Sequence, residues 1–138
     1  MNSQIRSTKS EIRNNSQMTK IRNSKTYDLE DRTLRFARNV RAFLKKLSKT
    51  PTNIEDGKQL IKASGSVGAN YIEANEALSK KDFIMRIKIC RKEAKESRYW
   101  LKLIDTNSEM KLENERQYLE KEATELMNIF GAILRKTE

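Results

Sequence analysis

Two stretches of the sequence carry basic side chains at the spacing of about one helical turn. The first consists of Arg32, Arg35, Arg38, Arg41 and Lys45. The second consists of Lys88, Arg91, Lys92, Lys95 and Arg98. Cations spaced in this way can contact successive phosphates of a nucleic acid, although a solvated helix face shows the same pattern. The net charge of +10 and the isoelectric point near 9.8 favour nucleic-acid binding.

Acidic side chains on the second and third predicted helices are the candidates for a metal site. They are Glu73, Glu93 and Glu96. A di-iron site in a helical bundle takes Glu-x-x-His from two helices, and this sequence has no His. A Mg²⁺ or Mn²⁺ site made of carboxylates alone has no spacing signature here. We therefore predict no metal and no other cofactor, with the Glu side chains paired to Arg or Lys or capping backbone groups.

The absence of His also limits the catalytic chemistry. It excludes Ser-His and Cys-His nucleophiles, and the single Cys90 excludes an internal disulfide. A Ser-Lys pair or a carboxylate-bound metal would remain, but neither has a recognisable motif. The sequence therefore predicts a protein that is not an enzyme.

Four helices are predicted to position these side chains. Apolar residues at steps of three, four and seven place them at about residues 28–48, 53–77, 81–104 and 109–135. Short connections between helices of this length predict an all-α fold, an antiparallel up-down four-helix bundle. The inner positions predicted for the second helix include Leu60, Ile61, Tyr71 and Ile72.

Capping residues support these helix starts. Asp28 precedes the first helix, and a capping-box pattern begins at Thr52, at Ser79 and at Thr106. Pro51 is expected to stop the first helix from continuing in the same direction.

The pair Gly65 and Gly68 lies within the second predicted helix. Each mid-helix glycine costs up to about 1 kcal/mol relative to alanine. We interpret the pair as a place where a neighbouring helix backbone approaches closely. A ligand role is the alternative, although no strand precedes the pair as a phosphate-binding loop would require.

The domain boundary is predicted near residue 26. Residues 1–26 repeat Ile-Arg pairs in a Ser/Asn/Lys background with no apolar face, so we expect a disordered basic extension. This extension is either a phosphate-following arm or a segment without a role. Residues 27–138 are predicted to form the four-helix domain. No stretch reaches the roughly 18 apolar residues of a membrane span, and the single cysteine fits the cytoplasm.

The third and fourth helices carry more apolar side chains than one stripe needs. The additional residues are Ile84, Ile89, Trp100, Leu103, Tyr118, Met127, Ile129 and Leu134. They either fill a wide core or form a surface for self-association.

Three segments of the sequence form a recognisable set of motifs: residues 66–74 read SVGANYIEA, residues 81–83 read KDF and residues 92–101 read KEAKESRYWL. These segments resemble the four-helix-bundle family of the 23S rRNA intervening-sequence protein. The start of the family pattern is similar to residues 27–37. The residues that carry the motifs are Ser66, Gly68, Asn70, Glu73, Glu93, Glu96 and Trp100.

The resemblance implies a left-handed up-down bundle that assembles as a homopentamer. It also implies a distant relationship to the accessory protein of diversity-generating retroelements, a basic pentamer that binds nucleic acid and a reverse transcriptase. The family has no catalytic motif to carry over. Our first hypothesis is a bacterial, cytoplasmic, RNA- or DNA-binding oligomer that uses phosphate contacts on the first and third helices. The alternative is a scaffold for an acidic partner protein such as a polymerase or reverse transcriptase.

Overall fold

The computed structural model describes the backbone of residues 16–137 and the side chains of residues 29–137. Within these residues the chain forms four α-helices and no strand. The helices are α1 (Ser16–Lys45), α2 (Pro51–Asn75), α3 (Lys80–Leu103) and α4 (Met110–Thr137). The predicted all-α class and the number of helices are therefore confirmed.

The first helix begins earlier than the sequence pattern indicated. It starts at Ser16 rather than near Asp28. Residues 16–28 contain no Pro or Gly that would stop a helix, so helical backbone can extend through a segment without an apolar stripe. The structure has helical backbone over residues 16–26, where the sequence predicted disorder, and residues 1–15 lie outside the described residues. The domain boundary near residue 26 stays a prediction. The chain divides into two units between Arg32 and Thr33, and the helix packing given below belongs to the second.

The caps of α2 and α3 show one wrong prediction and one correct prediction. Thr50, not Thr52, caps α2, because its side chain accepts a hydrogen bond from the backbone N–H of Asn53. Pro51 is the first residue of that helix, a position where its missing N–H costs nothing. Ser79 caps α3 as predicted and accepts from the backbone N–H of Asp82.

Each helix of the second unit buries one apolar stripe. The largest side chains that are almost fully buried are Phe36, Val40, Phe43, Leu60, Val67, Ile87, Leu101, Leu119, Leu126 and Phe130. Ile61 and Ile72 were expected inside, but they are 39% and 51% exposed, because each follows a buried position and is rotated about 100° from it. The buried apolar residues thus form one stripe on each helix. Among the described residues, no helix is long and apolar enough to cross a membrane.

Asn53 connects the two loops at one end of the helices. Its side-chain amide donates to the carbonyl oxygens of Ser48, at 3.2 Å, and Asp105, at 2.9 Å. Its Oδ1 accepts from the backbone N–H of Asp105 at 2.9 Å. A buried side chain, only 6% exposed, therefore joins the α1–α2 connection to the α3–α4 connection.

Helix α3 packs against both α2 and α4. Towards α2, Arg86 near its start donates to Asn70 Oδ1 near the end of that helix, at 2.9 Å. Towards α4, Lys102 lies near the end of α3, and its Nζ is 3.5 Å from Oε1 of Glu120 in the first half of α4. These contacts fix which side of α3 remains exposed.

Candidate nucleic-acid interface

An open groove of about 540 Å³ lies between α3 and α4. It is lined by Lys88, Arg91, Lys92 and Lys95 from α3 and by Met127, Asn128, Gly131 and Arg135 from α4. Five of the eight lining residues are cationic, and none is acidic. The arrangement concentrates positive charge along one wall and places a further cation on the other, so it can hold a polyanion along its length.

Three of the groove cations are available for a ligand. Within residues 29–137, Arg91, Lys95 and Arg135 make no ion pair with an acidic side chain. Lys92 approaches Glu93 at 4.0 Å, and its own side chain is 62% exposed. Binding a phosphate at Arg91, Lys92, Lys95 and Arg135 therefore breaks no strong internal ion pair.

Gly131 lies buried between the two arginines of the groove. A Cβ atom at this position would lie 3.5 Å from Arg135 Nη1 and 3.8 Å from Arg91 Cδ. Both arginine side chains therefore pack over the glycine at ordinary contact distance. The small residue lets the two guanidinium-bearing chains approach each other from opposite walls.

The structure does not bring the basic series of α1 into this groove. Arg35, Arg38, Arg41 and Lys45 are exposed on α1, but the groove is lined by α3 and α4. Arg41 instead donates to the Ala37 carbonyl at 3.1 Å, and its Nη2 lies 3.4 Å from where a Cβ on Gly65 of α2 would be. Arg32 is half-buried in the first unit.

Arg98 also lies outside the groove lining. It is half-buried, and its Nη1 donates to Thr124 Oγ1 on α4 at 3.4 Å. Of the five α3 cations predicted from the sequence, four thus line the groove and one contributes to helix packing.

Gly68 shows the close helix approach that the sequence suggested. A Cβ at this position would lie 2.9 Å from Thr33 Oγ1 and 3.2 Å from Thr33 Cβ. Thr33 is only 1% exposed, so it has little room to move. Gly65, by contrast, faces only the flexible end of Arg41.

The remaining motif residues of α2 make local contacts. The Asn70 side chain donates to the Ser66 carbonyl at 2.9 Å while its Oδ1 accepts from Arg86. Glu73 is exposed. Asn70 therefore links the end of α2 to the start of α3, which is a structural role.

Glu93 is half-buried on α3, and Glu96 is exposed three residues further along the helix. Burial raises the pKa of Glu93, and the neighbouring charge of Glu96 raises it further, while Lys92 and Lys62 act in the opposite direction. Within the described residues no group of three or more His, Cys, Asp or Glu side chains is arranged to hold a metal ion.

Two aromatic side chains adjoin the basic series of α3. The rings of Tyr99 and Trp100 meet edge to face, with centroids 5.1 Å apart. Trp100 is half-buried, whereas Tyr99 is 55% exposed.

The α4 wall was missed by the sequence interpretation. Asn128, Gly131 and Arg135 follow one another at steps of three and four, which places them on one helical face. The net negative charge of residues 106–138 concealed this face, because six of the seven acidic residues in this segment come before Asn128 in the sequence.

Comparison with known proteins places the chain among helical relatives. The model of the family described as 23S rRNA-intervening sequence protein matches residues 25–132. A similar solved structure is a protein of unknown function from the S23 ribosomal protein family of Bacteroides thetaiotaomicron. The two chains are 30% identical, with a TM-score of 0.66 over 76% of this chain and 96% of that chain. No curated protein matches the sequence.

Proposed function

The chain belongs to the family of 23S rRNA-intervening sequence proteins, and we propose that it is a non-enzymatic protein that binds RNA or DNA through phosphates. The observation that carries this proposal is the α3–α4 groove, which has five cationic lining residues and no acidic one. A groove of this kind neutralises phosphates and releases their counterions without reading bases. The exposed cations of α1 form a second, separate contact surface.

The assembly state is part of the same proposal. The helices run up and down in alternation, and five chains form a homopentamer in the cytoplasm. Support for self-association comes from apolar side chains left exposed, such as Leu103 at 47% and Met110 at 71%. Five copies of a weak phosphate groove on one particle would bind a long strand far more tightly than one copy.

The test removes groove cations and compares the result with an equal loss of charge elsewhere. In the groove variant, Arg91, Lys95 and Arg135 are each replaced by Gln. In the control variant, Lys49, Lys58 and Lys111 are each replaced by Gln; all three are exposed and none lines the groove. Affinity for labelled RNA and DNA is measured by fluorescence anisotropy over a range of salt concentrations.

The wild-type protein should lose affinity steeply as salt rises. The groove variant should bind weakly, and its slope of log K against log salt should be shallower by about three. The control variant should change little beyond the general effect of net charge. Equal losses in both variants would contradict a localised groove, and salt-independent binding would contradict phosphate contacts altogether.

The second candidate is a scaffold for an acidic partner protein such as a polymerase or reverse transcriptase. The exposed Ile54, Ile61 and Ile72 on α2 favour it, because they form an apolar stripe that nucleic-acid binding does not use. A protein complex that survives nuclease and is lost on Ile61→Lys would support the scaffold. A complex that nuclease disperses would count against it.

A further inference from the structure

The cationic series of α3 continues into an exposed aromatic side chain. Lys88, Lys92, Lys95 and Tyr99 follow one another at steps of four, three and four residues. At 3.6 residues per turn these four positions stay within about 60° of each other around the helix. The first three line the groove, and Tyr99 stands on the same face about 6 Å further along the helix axis.

The ring of Tyr99 is both accessible and held in place. Its side chain is 55% exposed, and within residues 29–137 its hydroxyl makes no hydrogen bond. The edge-to-face contact with half-buried Trp100 restricts the ring without covering it. An aromatic side chain in this state gives a stacking surface at low cost in side-chain entropy.

The charged residues around Tyr99 favour a base, rather than a phosphate, next to its ring. Lys95 lies one turn before it, and Glu96 lies three residues before it on the flank of the stripe. Lys102 lies three residues after it, but its ammonium is paired with Glu120 of α4 at 3.5 Å. The carboxylate of Glu96 disfavours a phosphate beside the ring, while the lysines draw the phosphates to the groove. The base of the nucleotide that follows is then the group that reaches Tyr99.

We propose that Tyr99 stacks on a base of a single-stranded nucleic acid whose backbone lies on Lys88, Lys92 and Lys95. The inference rests on the nucleic-acid binding proposed above and adds a preference for unpaired strands. Base faces are open in single strands and hidden in a duplex, so an aromatic side chain beside a cationic groove selects single strands. No base identity is selected, because every base has a stacking face.

The experiment compares ligands that share a backbone and differ in their bases. The probes are a short labelled oligothymidylate, a strand of the same length built from abasic sites, and a duplex of that length. Tyr99→Ala should lower the affinity for oligothymidylate by about tenfold and leave the affinity for the abasic strand unchanged. Tyr99→Phe should bind as wild type, and Tyr99→Leu should bind like Tyr99→Ala, since bulk without a π-face does not stack.

Tyr118 provides the matched control. It is 61% exposed on α4, and the charged residues three or four positions from it are Glu115, Lys121 and Glu122, so it does not continue a cationic series. Tyr118→Ala should leave all three affinities unchanged. Light scattering should give the same mass for wild type and Tyr99→Ala.

The outcomes separate the two proposals. An equal loss of affinity for the oligothymidylate and the abasic strand, no loss at all, or dissociation of the assembly on Tyr99→Ala would overturn the stacking role and leave phosphate binding intact. Failure of every probe to bind in a salt-sensitive way would overturn both proposals.

Discussion

Gly68 is a residue at which one added methyl group should destabilise the fold. Gly68→Ala would put a Cβ 2.9 Å from Thr33 Oγ1, and the buried Thr33 cannot move aside cheaply. Overpacking of this kind costs about 1–3 kcal/mol, which outweighs the gain of up to about 1 kcal/mol in helix propensity. We expect a net loss in the free energy of unfolding, measured by urea denaturation at constant m-value.

Gly65 is the internal control for that prediction. Gly65→Ala meets only the flexible guanidinium of Arg41, at 3.4 Å, so the propensity gain should dominate and the protein should become slightly more stable. Thr33→Ala should partly rescue Gly68→Ala in the double variant. If both glycine variants were equally stable, the close approach would not be the reason for Gly68.

At the scale of the helix, the start of α4 is held by a charged cluster. Arg116 bonds with Glu113 and Glu120, and Thr106 Oγ1 donates to Glu113 Oε1 at 2.9 Å. The hydrogen bond from Arg116, followed by that from Thr106, lowers the pKa of Glu113 to about 2. A lowered pKa means that the carboxylate stabilises the folded state only while it is ionised.

This cluster predicts an acid-sensitive contribution to stability. It should be fully present above the ordinary glutamate pKa of 4.5 and should be lost as the pH falls towards about 2. Glu113→Gln should therefore make the urea midpoint depend less on pH in this range. Above pH 5 the curve of urea midpoint against pH should keep its wild-type shape. Glu109→Gln, at an exposed position just before α4, is the control and should retain the wild-type dependence. An unchanged profile in Glu113→Gln would contradict the role of this carboxylate.

The helices, their caps and the groove walls differ in how far the sequence alone predicts them. Apolar spacing located all four helices, and the Ser79 cap of α3 followed from the side chain alone. The Thr50 cap was missed because a capping box at Thr52 has the same local pattern, and only the backbone places Pro51 at the first helical position. The α3 wall of the groove was visible as a basic series. The α4 wall was not, since Arg135 joins it only when the two helices pack.

At the scale of the whole molecule, the prediction concerns how many grooves act together. The net charge of +10 per chain makes self-repulsion large in any assembly, so the proposed pentamer should be stabilised by salt or by bound nucleic acid. We expect light scattering in high salt to give a mass about five times the 16.2 kDa of the chain, with absorbance at 260 nm falling as nucleic acid is released. A monomer would contradict the assembly.

Strand length then distinguishes one groove from several. A long single strand can engage several grooves of one particle, so its affinity should exceed that of a strand that fills one groove by 10²-fold or more. The groove variant described above should lose more affinity for the long strand than for the short one, because each of several contacts is weakened. Similar affinities for both lengths, at a confirmed pentameric mass, would mean that the grooves face directions which a single strand cannot join.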